Sequence, residues 1–321
     1  MLRRWMTGAL AKFRRGVSWV FFGAIDLPEQ LAAIQTRLSE KGLTGQVARL
    51  EQDVQAVLRR LALPADALPF PSRLTAQRFR GWSQNEEDGI TLALMNEMGG
   101  PGTRRFVEIG CGDNGGNSGF LALECGWSGL MVDGDASRIA VARALYAGGP
   151  VSVVQTWITR EKVNELIQMH GLDGDIDLLS IDIDGNDYWL WDAIHVCRPR
   201  VVIVEYNSLF GADLAVTVPY RDDFNHKQGG KGYYGASLQA LTHLATRKGY
   251  RLVAVEPRGV NAFFLRNDMA PHVPACDPRA SFRSLDKISY RNILRKLQAD
   301  PVGYFSNKGL PLVDVSNGAM T

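Results

Sequence analysis

Carboxylates close several apolar runs of this chain, and its chemistry is best read from them. The run Phe106-Val-Glu-Ile-Gly-Cys-Gly-Asp-Asn-Gly-Gly116 sets Glu108 two residues before its first glycine and Asp113 inside the turn. Such a run predicts a strand feeding a tight turn that brings bare backbone against a ligand. Gly110, Gly112 and Gly115 satisfy a G-x-G-x-x-G spacing. That spacing alone fits a dinucleotide site, an S-adenosylmethionine site or a plain glycine-rich loop. The acids separate these readings: a diphosphate would face carboxylates, whereas a cationic sulfonium bearing an amino group would be attracted to them. Asp133 ends the next apolar run, Gly129-Leu-Met-Val-Asp133. It falls near the ~20-residue distance at which a carboxylate meets ribose hydroxyls, and both cofactor readings require it.

Two more runs end the same way. Leu178-Leu-Ser-Ile-Asp-Ile-Asp-Gly-Asn-Asp187 carries Asp182, Asp184 and Asp187 around one glycine, and Val202-Ile-Val-Glu-Tyr-Asn207 carries Glu205. So many acids at the end of a buried strand need a cation, backbone donors or open water. If the two strands are neighbours, Asp182 and Glu205 share an oxygen-ligand site for Mg²⁺ or another hard divalent cation. The structural alternative is that Asp182 caps the following helix and Asn207 a turn. Beyond them, Pro219-Tyr-Arg-Asp-Asp-Phe-Asn-His226 and Gly229-Gly-Lys-Gly-Tyr-Tyr-Gly235 form an aromatic, polar insertion. Its composition suits a mobile lid over a polar acceptor, with His226 as a proton acceptor or simply a solvated surface histidine.

The elements that must position these residues alternate. A helix over Asn85–Met98 precedes the first strand, and later strands are expected at Val151–Thr156, Ile176–Asp182, Val201–Glu205, Arg251–Val255 and Asn261–Leu265. Helical stretches lie between most of them, at Ala136–Ala147, Arg160–His170, Asp187–Val196 and Ser237–Lys248. Alternation of this kind predicts a doubly wound, mainly parallel α/β sheet with ligands at the carboxyl ends of its strands. The last two strands are joined by Glu256-Pro-Arg-Gly-Val260, too short for a parallel crossover, so that pair is expected to be an antiparallel hairpin. Sheets that bind nicotinamide normally lack it.

The chain has 321 residues, is 45% apolar and carries a net charge of +2, so it can bury a full core and gives no general case for nucleic acid. Cys111, Cys125, Cys197 and Cys276 are widely spaced, which suggests reduced thiols in a cytoplasmic protein rather than a zinc or disulfide framework. Residues 1–71 read as a separate helical region and 72–321 as the catalytic domain with a C-terminal extension. Five basic residues before Gly16, with aromatics and a short apolar run to Ile25, suit adsorption to the inner membrane face or packing on the protein's own body. Val47, Leu50, Val54, Val57 and Leu61 form a short heptad seam, expected either to dimerise the chain or to lie on the catalytic body.

Four motifs in order, Ser83-Gln-Asn-Glu-Glu-Asp-Gly-Ile90, Val107-Glu-Ile-Gly-Cys-Gly112, Ser180-Ile-Asp-Ile-Asp-Gly-Asn-Asp187 and Val204-Glu-Tyr-Asn207, resemble the FkbM-like S-adenosylmethionine-dependent methyltransferases. The resemblance spans about Phe79–Asp268 and implies a seven-stranded Rossmann-like methyltransferase sheet and O-methylation of sugars or natural products. It matches Glu108, Gly110 and Gly112 to the cofactor loop, Asp133 to the ribose-binding acid and Asp182 to the acid ending the fourth strand. Asp184-Gly185 stands where many members have Glu-Gly, and Asp133-Gly-Asp135 replaces the common Glu-Pro. The implied chemistry is direct displacement on the methyl carbon by an acceptor hydroxyl. Its proton leaves either to a base such as His226 or Asp184, or because a metal at Asp182 and Glu205 lowers its pKa. The rivals are a nicotinamide oxidoreductase and a non-catalytic cofactor-binding scaffold that recruits partners through the N-terminal helices.

Overall fold

The apolar runs with acids at their ends become the middle of one sheet. The structure, a computed structural model, describes residues 67–227, 230–284 and 300–316. The chain divides into two units, Met1–Gln55 and Ala56–Thr321. The first, with the basic stretch 1–25, lies outside the described residues, and so does the heptad seam 47–61. Among the described residues no helix is long and apolar enough to cross a membrane.

The strands are β1 (Arg105–Ile109), β2 (Ser128–Asp133), β3 (Val151–Gln155), β4 (Gly174–Ile181), β5 (Cys197–Glu205), β6 (Val216–Thr217), β7 (Tyr250–Val255), β8 (Asn261–Arg266) and β9 (Val313–Asp314). Seven of them form one sheet in the order β3-β2-β1-β4-β5-β8-β7. Strands β1 to β5 are parallel, while β8 runs antiparallel to both β5 and β7. This is the doubly wound, mainly parallel sheet with a terminal antiparallel hairpin expected from the pattern, and its seven strands are the number that the resemblance implies. Around it lie α1 (Glu87–Glu97), α2 (Gly119–Leu123), α3 (Ala136–Leu145), α4 (Val163–Met169), α5 (Asp187–Ala193) and α6 (Leu238–Arg247).

Both faces of the central strands are covered, which is why their sequences are continuously apolar. Alternate residues feed two cores. Val107, Ile109, Leu179, Ile181, Val202 and Val204 point to one, and Phe106, Leu178, Val201 and Ile203 to the other. Edge strand β3 instead exposes every third residue or so, in keeping with Ser152 and Gln155 in its sequence.

A third apolar cluster was not visible in the sequence. Leu209, Phe210, Val216, Val218, Phe224 and Tyr233 of the insertion gather around Phe305 from α7 (Pro301–Ser306), in the C-terminal extension. Strands β6 and β9 join the same two segments, with Val216 paired to Asp314 and Thr217 to Val313. The expected mobile lid is therefore corrected in one respect: the insertion has an apolar core of its own, completed by the tail.

Candidate active site

Parallel register lines up the chemistry. Ile109 pairs with both Val132 and Ile181, and Ile181 pairs with Val204. One residue beyond these pairs, Gly110, Asp133, Asp182 and Glu205 leave four adjacent strands at the same end of the sheet. Two cavities open there. The first, about 300 Å³, is lined by Gly110, Asp133, Arg138 and Trp157 among others. The second, about 400 Å³, is lined by Gln84, Glu205, Lys231 and Tyr234 among others. Asp182, Asp184, His226 and Lys227 line both.

The glycine loop is shaped by close approach. Gly110 has φ +92°, and a Cβ there would lie 1.7 Å from the Asp182 carbonyl oxygen, so no other residue fits without moving β4's exit. Its N–H donates to Val132 O at 2.8 Å. Gly116 is also closely approached, by a side chain rather than by backbone: a Cβ would stand 2.2 Å from Glu108 Oε1. By contrast a Cβ on Gly112 would meet only open space and an Asn114 oxygen 3.6 Å away.

Glu108 explains why the loop closes so tightly. It is fully buried and accepts from the Asn117 backbone N–H at 3.1 Å and from Ser118 Oγ at 2.5 Å. Burial pushes its pKa up to about 7. Glu108 lines neither cavity, and neither do Gly112 and the exposed Asp113. The attraction expected between these two acids and a cationic ligand has no support in their placement: Glu108 holds the loop together, and Asp113 faces outward.

Asp133 does face the first cavity. Its Oδ2 accepts from Gly112 N at 3.0 Å and its Oδ1 from Asp135 N at 2.8 Å, while Arg138 approaches Oδ2 at 3.8 Å. A carboxylate has about four acceptor positions, so two remain for hydroxyls in the cavity. Asp135 then caps α3 by accepting from Ser137 N and Arg138 N. Trp157, half-exposed, lies against Gly134, where a Cβ would come within 2.8 Å of its ring. Its indole N–H donates to Asp222 O at 2.7 Å, so it joins the cavity wall to the insertion. Sequence reading missed Trp157, although an aromatic just beyond a parallel strand is a signal that could have found it.

The turn after β4 is built by Asp187. Its Oδ1 accepts from Ile183 N at 2.9 Å and its Oδ2 from Gly185 N at 2.8 Å. Those two N–H groups flank Asp184, which sits at φ +53°, a conformation costing a non-glycine residue roughly 1–2 kcal/mol. Asp187 thus presents Asp184, and burial raises its own pKa to about 6. The turn leaves Asp182 to the cavities rather than to α5, whose N-cap is Asn186. Burial, then the neighbouring charges of Asp184 and Asp187, hold the Asp182 carboxyl well above its ordinary pKa. Asn207, as the structural alternative had it, caps a turn by accepting from Leu209 N at 3.0 Å.

The insertion is stitched to this turn. Asn186 Nδ2 donates to Arg221 O at 2.6 Å, Gly235 N donates to Gly185 O at 3.1 Å, and Trp189 Nε1 donates to Val218 O at 2.8 Å. His226 is brought to Asp184, with 3.8 Å between Nδ1 and Oδ2. On the opposite side, Asp88 Oδ2 accepts from the N–H groups of Gly81, Trp82 and Ser83, and Glu87 Oε2 from Asn85 N. These contacts fix the peptides on each side of Gln84, which projects from the Ser83–Ile90 motif at the second cavity.

Asp182 and Glu205 share a cavity, as the metal reading requires. Among the described residues, however, no group of three or more His, Cys, Asp and Glu side chains could hold a metal ion. The pair therefore suits only a cation that takes most of its shell from water or substrate, as Mg²⁺ commonly does.

No family model matches the chain, and no curated protein matches it. Among solved structures it is similar to an O-methyltransferase from Bacillus cereus in complex with S-adenosylhomocysteine, at 16% identity, over 73% of this chain and 96% of that one, with a TM-score of 0.35. It is also similar to magnesium protoporphyrin IX methyltransferase from Synechocystis with bound S-adenosylmethionine, at 12% identity over 56% and 77%, TM-score 0.35. A third likeness is the glycopeptide N-methyltransferase MtfA with S-adenosylhomocysteine, at 13% identity over 62% and 99%, TM-score 0.35.

Proposed function

We propose that the chain is an S-adenosylmethionine-dependent methyltransferase acting on a hydroxyl of a polar acceptor, a saccharide or a glycosylated natural product. The observation that carries this reading is the pair of cavities meeting at Asp182, Asp184 and His226, one against the glycine turn and Asp133, the other polar and open. The motif resemblance to FkbM-like methyltransferases and the antiparallel hairpin at β7 and β8 support it. A backbone-only cradle at Gly110 and two remaining acceptor positions on Asp133 fit an adenosyl group whose far end carries no phosphate.

When bound, S-adenosylmethionine supplies the electrophilic methyl group. The protein's own part is to hold the acceptor hydroxyl in line with the carbon–sulfur bond, which is mainly a matter of orientation. The hydroxyl oxygen bonds to the methyl carbon, the electron pair of the broken bond stays on sulfur, and the hydroxyl proton goes to a base. Asp182 is the first candidate, because it lines both cavities. His226 beside Asp184 is the second. A metal-assisted variant is favoured by one observation, the register that leaves Asp182 and Glu205 side by side.

Single-turnover methyl transfer tests all three. Asp182→Asn is expected to slow transfer by about 10²–10⁴-fold, with S-adenosylhomocysteine affinity retained by calorimetry. A comparable loss in His226→Asn alone would move the base to His226. Loss of turnover in excess chelator, restored by Mg²⁺, would establish the metal variant. Binding of NADH with no response to S-adenosylhomocysteine would sink the methyltransferase reading.

A further inference from the structure

Behind the second cavity runs a buried polar chain that the proposed reaction does not use. Glu256 and Asn261 stand opposite each other at the mouth of the β7–β8 hairpin, with Glu256 N donating to Asn261 O at 2.9 Å, so their side chains leave the same face of the sheet. That face also carries α1: Asn261 Nδ2 donates to Glu87 Oε1 at 2.9 Å. Glu87 in turn takes the Asn85 backbone N–H on Oε2 at 2.9 Å and the Asn85 side-chain amide on Oε1 at 3.1 Å. Asn85 follows Gln84, which lines the second cavity. The chain thus links the hairpin to the peptide beside a cavity residue, and Glu87, Glu256 and Asn261 are each at most 1% exposed.

Two acceptors in it are left over. Glu256 Oε2 and Asn261 Oδ1 are buried with no hydrogen-bond partner, a costly condition for either oxygen. One proton on Glu256 settles both, since the protonated oxygen becomes the donor that Asn261 Oδ1 lacks. Turning the Asn261 amide over would instead set its oxygen against Glu87. Donor count gives the proton to Glu256: Glu87 receives three N–H groups, whereas Glu256 receives one, from Arg258 at 2.9 Å. Burial, then the charge of Glu87, push the Glu256 carboxyl up to about 8. The other charged and titratable groups around it are Glu86, engaged by Arg78 at 2.9 Å, Arg258 on its own turn and, beyond Asn261, Glu205 and Tyr206 at the exit of β5.

We propose that Glu256 is a positioning residue: as a neutral acid it donates to Asn261 Oδ1 and, through Asn261 and Glu87, holds the peptide beside Gln84, so that one proton fixes how the Ser83–Ile90 motif meets the second cavity. Loss of that proton sets a charged oxygen against the Asn261 oxygen and near a second carboxylate, Glu87, and the clamp lets go. That Gln84 meets an acceptor rests on the methyltransferase reading, whereas the clamp acts without cofactor or acceptor.

The experiment is hydrogen exchange on the full chain between about pH 6 and 9.5, expressed as protection so that the pH dependence of the chemical rate is divided out. In the wild type, protection over residues 83–90 is expected to hold to about pH 8 and then to fall about tenfold per pH unit, because only the protonated form is clamped. Glu256→Gln places an amide donor where the proton was and cannot titrate, so the same residues should stay protected across the whole range. The infrared spectrum of the wild type minus that of this variant, taken near neutral pH, should contain the carbonyl band of a neutral carboxylic acid; a water bridging the two oxygens in place of a proton would give none. Absence of that band, protection that does not change with pH, a fall that survives in Glu256→Gln, or a fall abolished only by Glu87→Gln would overturn the assignment. Protection that behaves as expected in a protein with no calorimetric response to S-adenosylhomocysteine leaves the clamp standing and the methyltransferase reading fallen.

Discussion

The two halves of the site are built by different means. The glycine loop is a local object: Glu108 reaches Asn117 nine residues on, and Gly112 reaches Asp133 across 21 residues. The insertion is held from far away, with Tyr233 OH donating to Pro311 O across 78 residues, Phe210 packed on Phe305, and β6 paired with β9. A loop closed by its own neighbours can be positioned as soon as its strand pairs. A wall completed by the C-terminal tail depends on the whole chain, so the insertion side should tolerate less disturbance at remote residues and the glycine-loop side less at its own glycines.

The sharpest way to break that contrast is at Gly110. Gly110→Ala drives a Cβ into the Asp182 carbonyl at a positive φ, and is expected to cost on the order of 5 kcal/mol, enough to abolish S-adenosylhomocysteine binding. Gly112→Ala, at φ +61° with open space around it, should cost only about 1–2 kcal/mol and leave binding measurable. Chemical denaturation with calorimetry on both variants checks this, and equal losses would mean that close approach does not shape the loop.

Next in size is Phe305→Ala. Phe305 is buried against Phe210 and Tyr233, and its removal is expected to cost about 3–5 kcal/mol of packing, lodged in the insertion. Hydrogen exchange should rise across residues 206–236 and acceptor turnover should fall, while S-adenosylhomocysteine affinity stays close to wild type. A parallel loss of cofactor affinity would show that the two walls are not separable.

The smallest effect concerns pH. The Glu108 carboxyl ordinarily titrates at 4.5 but at about 7 when folded, because burial disfavours its charge. Within that window the folded state holds a proton that the unfolded state has released, so raising the pH lowers stability, by on the order of 3 kcal/mol in all. Glu108→Gln should flatten this slope in urea denaturation measured between pH 5 and 8. Asp187, raised to about 6, contributes in the same direction and will leave a residual slope below that pH. An unchanged slope in Glu108→Gln would mean that Glu108 is ionised in the folded protein.

The sheet was legible because its signals are local and periodic. Predicted Asn261–Leu265 is observed as Asn261–Arg266, and the short Glu256–Val260 link does make an antiparallel hairpin. Predicted Val201–Glu205 begins earlier, at Cys197, because Pro199 and the flanking arginines hide a strand whose first pairs are with Gly174 and Asp175. Gly110, Asp133, Asp182 and Glu205 were each visible as a glycine or an acid at the end of an apolar run. Their alignment at one edge follows from parallel register, which the sequence implies once the strands are assigned.

The sequence could not tell an acid that faces a ligand from one that faces its own backbone. Glu108, Asp187 and Asp182 all look alike on the page. Only the folded chain shows that the first two satisfy the N–H groups of Asn117, Ile183 and Gly185, while Asp182 is left to the cavities. Nor could composition reveal that Phe210 and Phe305 share a core, because contacts across such separations leave no periodic trace in either segment. By itself the sequence determined the strands, their chemistry-bearing ends and the tight glycine turn, since these depend on local propensity and spacing. Tertiary structure decided which carboxylates are used up in holding loops, and it built the core of the insertion from two distant segments that meet only when the chain is folded.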